Sequence, residues 1–434
     1  MAIVLAKSKE ISPARLAAFR ILQQVEKGAF SSILLASEEP RLQPTDRALC
    51  HELVLGVLRW QWRLDKIVEH FSKRRIESLD HAVRIALRLG LYQLHYLTRI
   101  PASAAVNESV SLVRHARVSS ATAFVNAVLR RAIKEAGYDP AAGVSEPLER
   151  IAIQTSHPVW LIERWANALG IAEAETFAAA NNTVPPTAFR VVNNRADESK
   201  VISRLRAAGA EVEASQVTEG AWRVSGATSF VRALSAAGEI YLQDEASQLV
   251  ARVLDVKHGE RVLDLCAAPG GKTTLMADGA DDDAMIVAAD RSESRMATVV
   301  GTTRLQQLKS IKPVLLDAVE ELPFESRVFD RVLVDAPCSG TGTLRRNPEI
   351  RWRLTTLDIG AFAEVQKQIL SRVADAVKPG GLLVYSTCSV EREENEEVIE
   401  EFLARENFHL LDTLRTWPHR QQCDGFFIAS LERR

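Results

Sequence analysis

Cysteine is scarce in this 434-residue chain, and its five cysteines, Cys50, Cys266, Cys338, Cys388 and Cys423, are odd in number with no C-x-x-C spacing. That excludes a disulfide framework and argues against a structural zinc site, so no metal is expected. Long apolar runs are missing too. No window approaches a membrane span, and Ile3-Val4-Leu5 before Lys7 is too short for the core of a signal peptide. The expectation is a soluble protein of a reducing cytoplasm, without a membrane partner. Net charge is nearly absent, at −2, but the balance hides an asymmetry. Residues 1–145 carry 21 Lys+Arg against 13 Asp+Glu, and the remainder 33 against 43. A basic module therefore precedes an acidic one. This suits a polyanion partner for the first, and a solvated surface accounts for it equally well.

What is present divides the chain into three. From Ser12 to about Ala136 apolar residues recur at helical spacing, with start signals at Ser12-Pro13 and Pro44-Thr45-Asp46, and no strand pattern intervenes. Residues 1–140 are expected to form an all-α bundle whose Trp60, Trp62, Tyr92 and Tyr96 belong to its core or rim. Gly137 to Gly143 reads as a linker. Residues 141–240 then carry a short helical piece and a strand–helix–strand order, which predicts a small α+β subdomain. From 241 to 434 strands and helices alternate, the signature of a parallel sheet.

The predicted strands of that last region are 261–265, 285–289, 313–316, 331–334 and 382–385, with a final one at 425–429. Each of the first five ends in a polar or reactive group: Asp264 with Cys266, Asp290, Asp317, Asp335 with Cys338, and Cys388. A single acidic strand end often only caps or solubilises. Five at the carboxyl edge of one sheet describe a site, because ligands of open α/β sheets bind there.

The first of these strands runs into Cys266-Ala267-Ala268-Pro269-Gly270-Gly271-Lys272, small residues that let a ligand approach the backbone at the start of a helix. A triphosphate loop is the rival reading. It needs glycine where Cys266 stands, and Pro269 removes a donor. Asp290 is placed to hold ribose hydroxyls and Asp317 to accept from an adenine amino group, so loop and acids together fit S-adenosylmethionine. NAD is disfavoured, because no Gly-x-Gly-x-x-Gly occurs.

Cys338 within Asp335-Ala336-Pro337-Cys338 and Cys388 within Thr387-Cys388-Ser389 stand at the ends of neighbouring strands, near enough for both thiols to reach one substrate. Most free cysteines are small buried hydrophobes. Beside a methyl-donor site, a cysteine pair suits attack on carbon 6 of a cytosine, which makes carbon 5 nucleophilic. A helix expected to begin at Ser389 would favour the thiolate, and Asp335 would hold the ring's N3 and amino edge.

At these residues the sequence resembles the RNA cytosine-5 methyltransferases that include the nucleolar NOP-two and bacterial Sun/Fmu proteins. The matching stretches are Gln243 to Ser247, Cys266 to Lys272, Asp335 to Cys338, Thr387 to Ser389, Glu394-Asn395-Glu396 and Asp424 to Phe427. The resemblance implies a Rossmann-like S-adenosylmethionine-dependent catalytic domain in which Cys388 is the nucleophile, Cys338 assists product release and Asp335 is catalytic. It also implies cofactor contacts by residues 266–272, Asp290, Asp317 and Asp335. Residues from Arg15 to Lys134 are similar to the RNA-binding domain of NusB. That fusion implies 16S ribosomal RNA as substrate, as naked RNA or an early small-subunit particle, and the cytosine usually numbered 967. A monomer is expected. Arg345, Arg346, Arg351 and Trp352, with Arg353, are candidate RNA contacts, although a salt-bridged surface helix has the same composition. Two other classes stay open: an inert RNA-binding assembly factor and an NTPase.

Overall fold

The computed structural model describes residues 11–434. They form two compact units, one holding the chain up to Thr183 together with Leu344–Arg353, the other Val184–Thr343 with Leu354–Arg434.

The first unit begins with seven helices, Pro13–Val25, Ser31–Glu38, Pro44–Arg59, Gln61–Ser72, His81–Tyr96, Ala102–His115 and Thr122–Lys134. Proline opens two of them, where its fixed φ suits the first turn and its missing N–H goes unnoticed. Asp80 caps another, accepting from Ala82 N at 2.8 Å. Phe19, Leu53, Val57, Leu64, Ile67, Ile85 and Leu129 meet in one core. Trp60 and Tyr92 stack on either side of Tyr96, with ring centroids 4.8 and 5.1 Å away, as core and rim. A buried charged group crosses the bundle. Arg88 donates to both oxygens of Asp65 at 2.7 and 2.8 Å and pairs with Glu26.

The units do not separate at the expected boundary, Gly137 to Gly143. Tyr138 stacks on His70 at 3.8 Å and Asp139 pairs with Arg63 at 3.0 Å, which ties the segment to the bundle. Helices Pro147–Thr155, Val159–Leu169 and Ile171–Ala180 then continue the same unit. Glycine and proline mark a turn there. The contacts that hold it are non-local.

The second unit carries two sheets. Strands β1 Thr187–Val191, β2 Glu211–Ala214, β3 Ala221–Ser225 and β4 Ile240–Leu242 form an antiparallel sheet in the order β2-β3-β1-β4. Helices Glu198–Ala207 and Thr228–Ala236 complete a split β-α-β arrangement over a core of Phe189, Val201, Leu205 and Ile240. Buried Arg190 of β1 donates to Thr274 Oγ1 at 2.9 Å, and the backbone N–H groups of Asn193 and Asn194 donate to Asp278 at 3.1 and 3.0 Å. These bonds fasten the small sheet to the helix that follows the cofactor loop.

Strands β5 Arg261–Asp264, β6 Met285–Asp290, β7 Ile311–Leu315, β8 Phe329–Asp335, β9 Val377–Thr387, β10 Phe408–Thr416 and β11 Phe426–Arg433 make the larger sheet. Its order is β10-β11-β9-β8-β5-β6-β7; β5 to β9 run parallel and the last two strands antiparallel. Val262 and Leu333 enter one apolar layer, whereas Leu263, Val332 and Val334 enter the other. Burial on both faces explains the near-continuous apolar runs of these strands. Strand order reverses between β5 and β8, which opens a crevice at their carboxyl ends. Strand β10 was not expected. Its Leu410, Leu411 and Leu414 are exposed on an edge, so no clean alternation announces it.

Candidate active site

The loop after β5 is shaped by its own backbone. Leu265 N donates to Leu333 O at 3.0 Å and Ala267 N to Ala289 O at 2.9 Å, which lashes the loop to both neighbouring strands. Gly270 has φ +102°, and a Cβ there would stand 3.2 Å from Val299 Cα, so glycine is required before the helix Gly271–Gly279. Asp290 accepts from Ser292 N at 2.9 Å and from Ala268 N at 3.3 Å, and Arg295 pairs with it at 3.3 Å. Asp264 is buried. One of its oxygens accepts from Thr273 Oγ1 at 2.7 Å and the other, Oδ1, has no protein partner. Burial pushes its carboxyl up to about 7, the charges of Asp335 and Asp290 add to this, and the Thr273 hydrogen bond opposes it. Burial likewise raises the Cys266 thiol. Asp317 lies two residues beyond β7, where it accepts from Val319 N at 3.3 Å.

Across the crevice, Lys272 Nζ donates to Asp335 Oδ2 at 2.6 Å, and Ser386 Oγ donates to Asp335 Oδ1 at 2.8 Å. The Lys272 ammonium also lies 5.2 Å from the Phe426 ring centroid. Burial acts to lower its pKa, but Asp335 outweighs it and Cys388 adds to the rise, so the ammonium keeps its charge. Cys338 and Cys388 are both half-buried free thiols with sulfurs 3.3 Å apart. The Cys338 thiol is held well above its ordinary value, first by its hydrogen bond to Cys388 and then by burial. Cys50 and Cys423 are core thiols, each pushed up to about 12 chiefly by burial.

No helix begins at Ser389. The chain turns through a short 3-10 segment, Arg392–Glu394, and the helix starts only at Glu396, so the positive charge near Cys388 is Lys272 instead of a helix N-terminus. Behind the thiols Gly342 N donates to Cys388 O at 2.9 Å and Gly425 N to Gly342 O at 2.8 Å. A Cβ on Gly342 would fall 2.0 Å from Gly425 O, so this crossing excludes a side chain. Ser386, Gln366 and the contacts of Glu394 escaped notice in the sequence. Glu394 lies in a recognisable motif, but nothing in its spacing says what it touches.

The basic cluster after Cys338 must be corrected. Arg345 and Arg351 are 2% and 0% exposed. Arg351 donates to Ser156 O at 3.2 Å, Asn181 O at 3.2 Å and Asn182 Oδ1 at 2.8 Å, with Arg59 O at 3.5 Å. Its guanidinium thus gathers carbonyls from the ends of three helices, a favourable place for a cation. Trp352 Nε1 donates to Leu58 O at 2.7 Å, Arg59 donates to Arg345 O at 2.8 Å, and Arg353 donates to Val25 O at 2.7 Å. These side chains hold residues 344–353 inside the helical unit and do not face a phosphate. Arg346 is half-buried.

Among the described residues no group of three or more His, Cys, Asp or Glu is placed to hold a metal ion, and no helix is long and apolar enough to cross a membrane.

Comparison with known proteins agrees with this architecture. Residues 251–432 match the family described as 16S rRNA methyltransferase RsmB/F, residues 12–134 the NusB family, and residues 157–230 the RsmF/B-like methyltransferase ferredoxin-like domain. The probable ribosomal RNA small subunit methyltransferase B of Bacillus subtilis (strain 168) is 34% identical over 98% of this chain and 100% of its own. The ribosomal RNA small subunit methyltransferase B of Pseudomonas putida is 36% identical over 96% and 98%. The crystal structure of PH0851 superposes with a TM-score of 0.84 at 30% identity, covering 98% of this chain and 99% of that one. Similarity of this extent, spanning the helical bundle, the small sheet and the cysteine-bearing edge alike, means that the chain belongs to the ribosomal RNA small subunit methyltransferase B family.

Proposed function

We propose that this small-subunit ribosomal RNA methyltransferase acts on carbon 5 of a cytosine in 16S ribosomal RNA, by resemblance the one numbered 967, through a covalent bond between Cys388 and carbon 6. The observation that carries this reading is the pair of free thiols 3.3 Å apart on adjacent strand ends, beside an Asp335 held by Lys272. Proton transfer alone has no use for two such thiols.

S-adenosylmethionine supplies an electrophilic methyl group. The residues present fit it: Asp264, Asp290 and Asp335 surround the loop with acceptors for a ligand bearing ammonium and sulfonium charges, and the unpartnered Oδ1 of Asp264 suits a donor. A triphosphate would meet three carboxylates, while the one lysine of the loop is already paired with Asp335. The NTPase reading therefore finds no support at this loop.

The reaction follows from the side chains. Cys388 Sγ adds to carbon 6, the C5=C6 π pair forms the new bond from carbon 5 to the methyl group as the methyl–sulfur pair departs with the donor's sulfur, and Asp335 accepts from the exocyclic amino group. Lys272 balances the charge of Asp335 and stands as the cation beside the attacking sulfur. A base then takes the C5 proton, the C5–H pair restores the double bond, and the S–C6 pair returns to Cys388. The Cys338 S–H hydrogen-bonds the departing thiolate and stabilises it. The substrate is naked RNA or an early particle, met by the cytoplasmic protein as a monomer.

Cys338→Ala, mixed with S-adenosylmethionine and 16S ribosomal RNA, is expected to accumulate a ribonuclease-sensitive retarded band on a denaturing gel, and the band is expected to vanish when Cys388 is also replaced. Sequencing the attached RNA names the nucleotide. An adduct that needs Cys338 and not Cys388 would overturn the assignment of roles.

A further inference from the structure

Glu394 is 0% exposed, and every group that faces its carboxylate is a donor. Oε1 accepts from Ser339 N at 2.8 Å and from Gln366 Nε2 at 3.1 Å. Oε2 accepts from Ser389 Oγ at 2.5 Å and from Ser339 Oγ. Ser339 and Ser389 are the residues that directly follow Cys338 and Cys388, so a single carboxylate oxygen is shared between the loops that carry the two thiols. The rest of the turn is assembled on it. Tyr385 OH donates to Glu394 O at 2.6 Å, Thr387 Oγ1 to Asn395 Oδ1 at 2.6 Å, and Asn395 Nδ2 to Ser389 O at 3.0 Å. Glu391 N donates to Ser389 Oγ at 3.1 Å, which leaves that hydroxyl's proton for the carboxylate.

A buried carboxylate is costly unless its lone pairs are filled, and here four donors fill them. Nothing cationic is among its partners. A salt bridge would have satisfied the acid and cancelled its field; here burial raises the Glu394 carboxyl, and the hydrogen bonds from Ser339, Ser389 and Gln366 oppose that rise and favour the carboxylate. That charge lies beside Cys338, whose thiol it helps to keep protonated, in addition to the larger effects of the Cys388 hydrogen bond and burial. On the other side of the pair stands the Lys272 ammonium, which interacts favourably with Cys388. The Glu394 carboxylate thus stands beside Cys338, and the Lys272–Asp335 ion pair beside Cys388.

We infer that Glu394 is a positioning residue that fixes the separation of the two cysteine loops and, through its uncompensated charge, assigns Cys338 the role of proton-bearing partner and leaves Cys388 as nucleophile. This inference rests on the two-thiol reading of the reaction. It differs from that reading in naming a residue that touches neither substrate nor methyl donor.

The test uses the full-length Glu394→Gln variant, which keeps the shape, removes the charge and reverses one donor pair. Its readout does not need RNA: alkylation of each thiol by iodoacetamide is followed across pH 6–10 by peptide mass spectrometry. In the wild type Cys388 is expected to be modified first and Cys338 to be spared to high pH. In Glu394→Gln the alkylation midpoint of Cys338 is expected to fall by about one pH unit, since a neighbouring negative charge has been removed. In parallel, kcat for methyl transfer is expected to fall about tenfold or more with KM unchanged, the pattern of a support that acts on the reacting group and not on binding. An unmoved Cys338 midpoint in a variant whose Tm stays within a few degrees of the wild type would overturn the inference. Should Glu394→Gln fail to fold, Ser339→Ala loosens the clamp while leaving the carboxylate in place, so kcat is expected to fall with the Cys338 midpoint not lowered, and a lowered midpoint would overturn the role given to the charge. If wild type and variant alike leave cytosine unmethylated, the cytosine-5 reading falls, while the alkylation profiles still decide the role of Glu394.

Discussion

The helical unit and the catalytic edge both bury charge, and they do it in opposite ways. In the bundle Arg88 is met by Asp65 and Glu26, three donor contacts on two acids, so the cation is spent entirely on holding helices together. Arg351 has no acid at all, yet five carbonyl or amide oxygens surround it and burial lowers its pKa to about 9. At the catalytic edge satisfaction is left incomplete. Asp264 keeps an oxygen without a partner, Asp335 and Lys272 remain partly accessible, and two thiols share one proton-donating contact. A buried acid whose oxygens are all met, such as Asp65, holds architecture; one that keeps a bare oxygen, such as Asp264, offers it to a ligand.

That contrast can be broken by exchanging its terms. Lys272→Met and Asp335→Asn act on the incomplete side and are expected to lower kcat by about 10²–10³-fold, the usual effect of losing one electrostatic stabiliser of a reacting centre. Their Tm should move little, because the pair is partly open to water. Methyl-transfer kinetics alongside thermal unfolding measure both. Arg88→Met acts on the complete side. It strands Asp65 in the core and is expected to cost about 3–5 kcal/mol of stability, read as a lower denaturant midpoint, while kcat of the folded protein stays as it was. Arg351→Met leaves carbonyls unpaired at the ends of three helices and is expected to cost about 2–3 kcal/mol. If Arg351→Met instead flattened the salt dependence of RNA binding with no loss of stability, the correction of this residue from phosphate contact to helix clamp would be wrong.

These cases also show what a sequence makes legible. The strand ends that carry the acids and the two thiols could be placed because their signals are local: an apolar strand, a polar ending, a glycine where the backbone turns. Adjacency of Cys338 and Cys388 followed from strand order, since a parallel strand, its crossover helix and the next strand usually become neighbours. The basic run 345–353 was misread because composition reports charge and not partners; the carbonyls that neutralise Arg351 come from residues 59, 156 and 181, far away in sequence. The segment 137–143 is fastened to the bundle by contacts that composition does not announce, its Tyr138 and Asp139 being held by His70 and Arg63. The helix expected at Ser389 is displaced to Glu396 because Ser389 and Glu394 spend their polar groups on the thiol loops.

The smallest expected effect is the one that tests the incomplete side most directly. Asp264 has a folded pKa of about 7, raised first by burial, against an unfolded value of about 3.9. The native state therefore binds the extra proton between those values, so this group's contribution to stability declines as pH rises from about 4 to 7 and is constant above. Ligand binding should run the other way. The carboxylate form faces a cationic ligand, so affinity for S-adenosylmethionine is expected to weaken as pH falls below about 7, by up to tenfold per unit, with proton release on binding near pH 6.5. Calorimetry in buffers of different ionisation enthalpy counts that proton. Asp264→Asn should bind more weakly at pH 8, lose the pH dependence and release nothing; a variant that keeps the wild-type proton count would mean that the unpartnered oxygen of Asp264 is not where the ligand's charge is met.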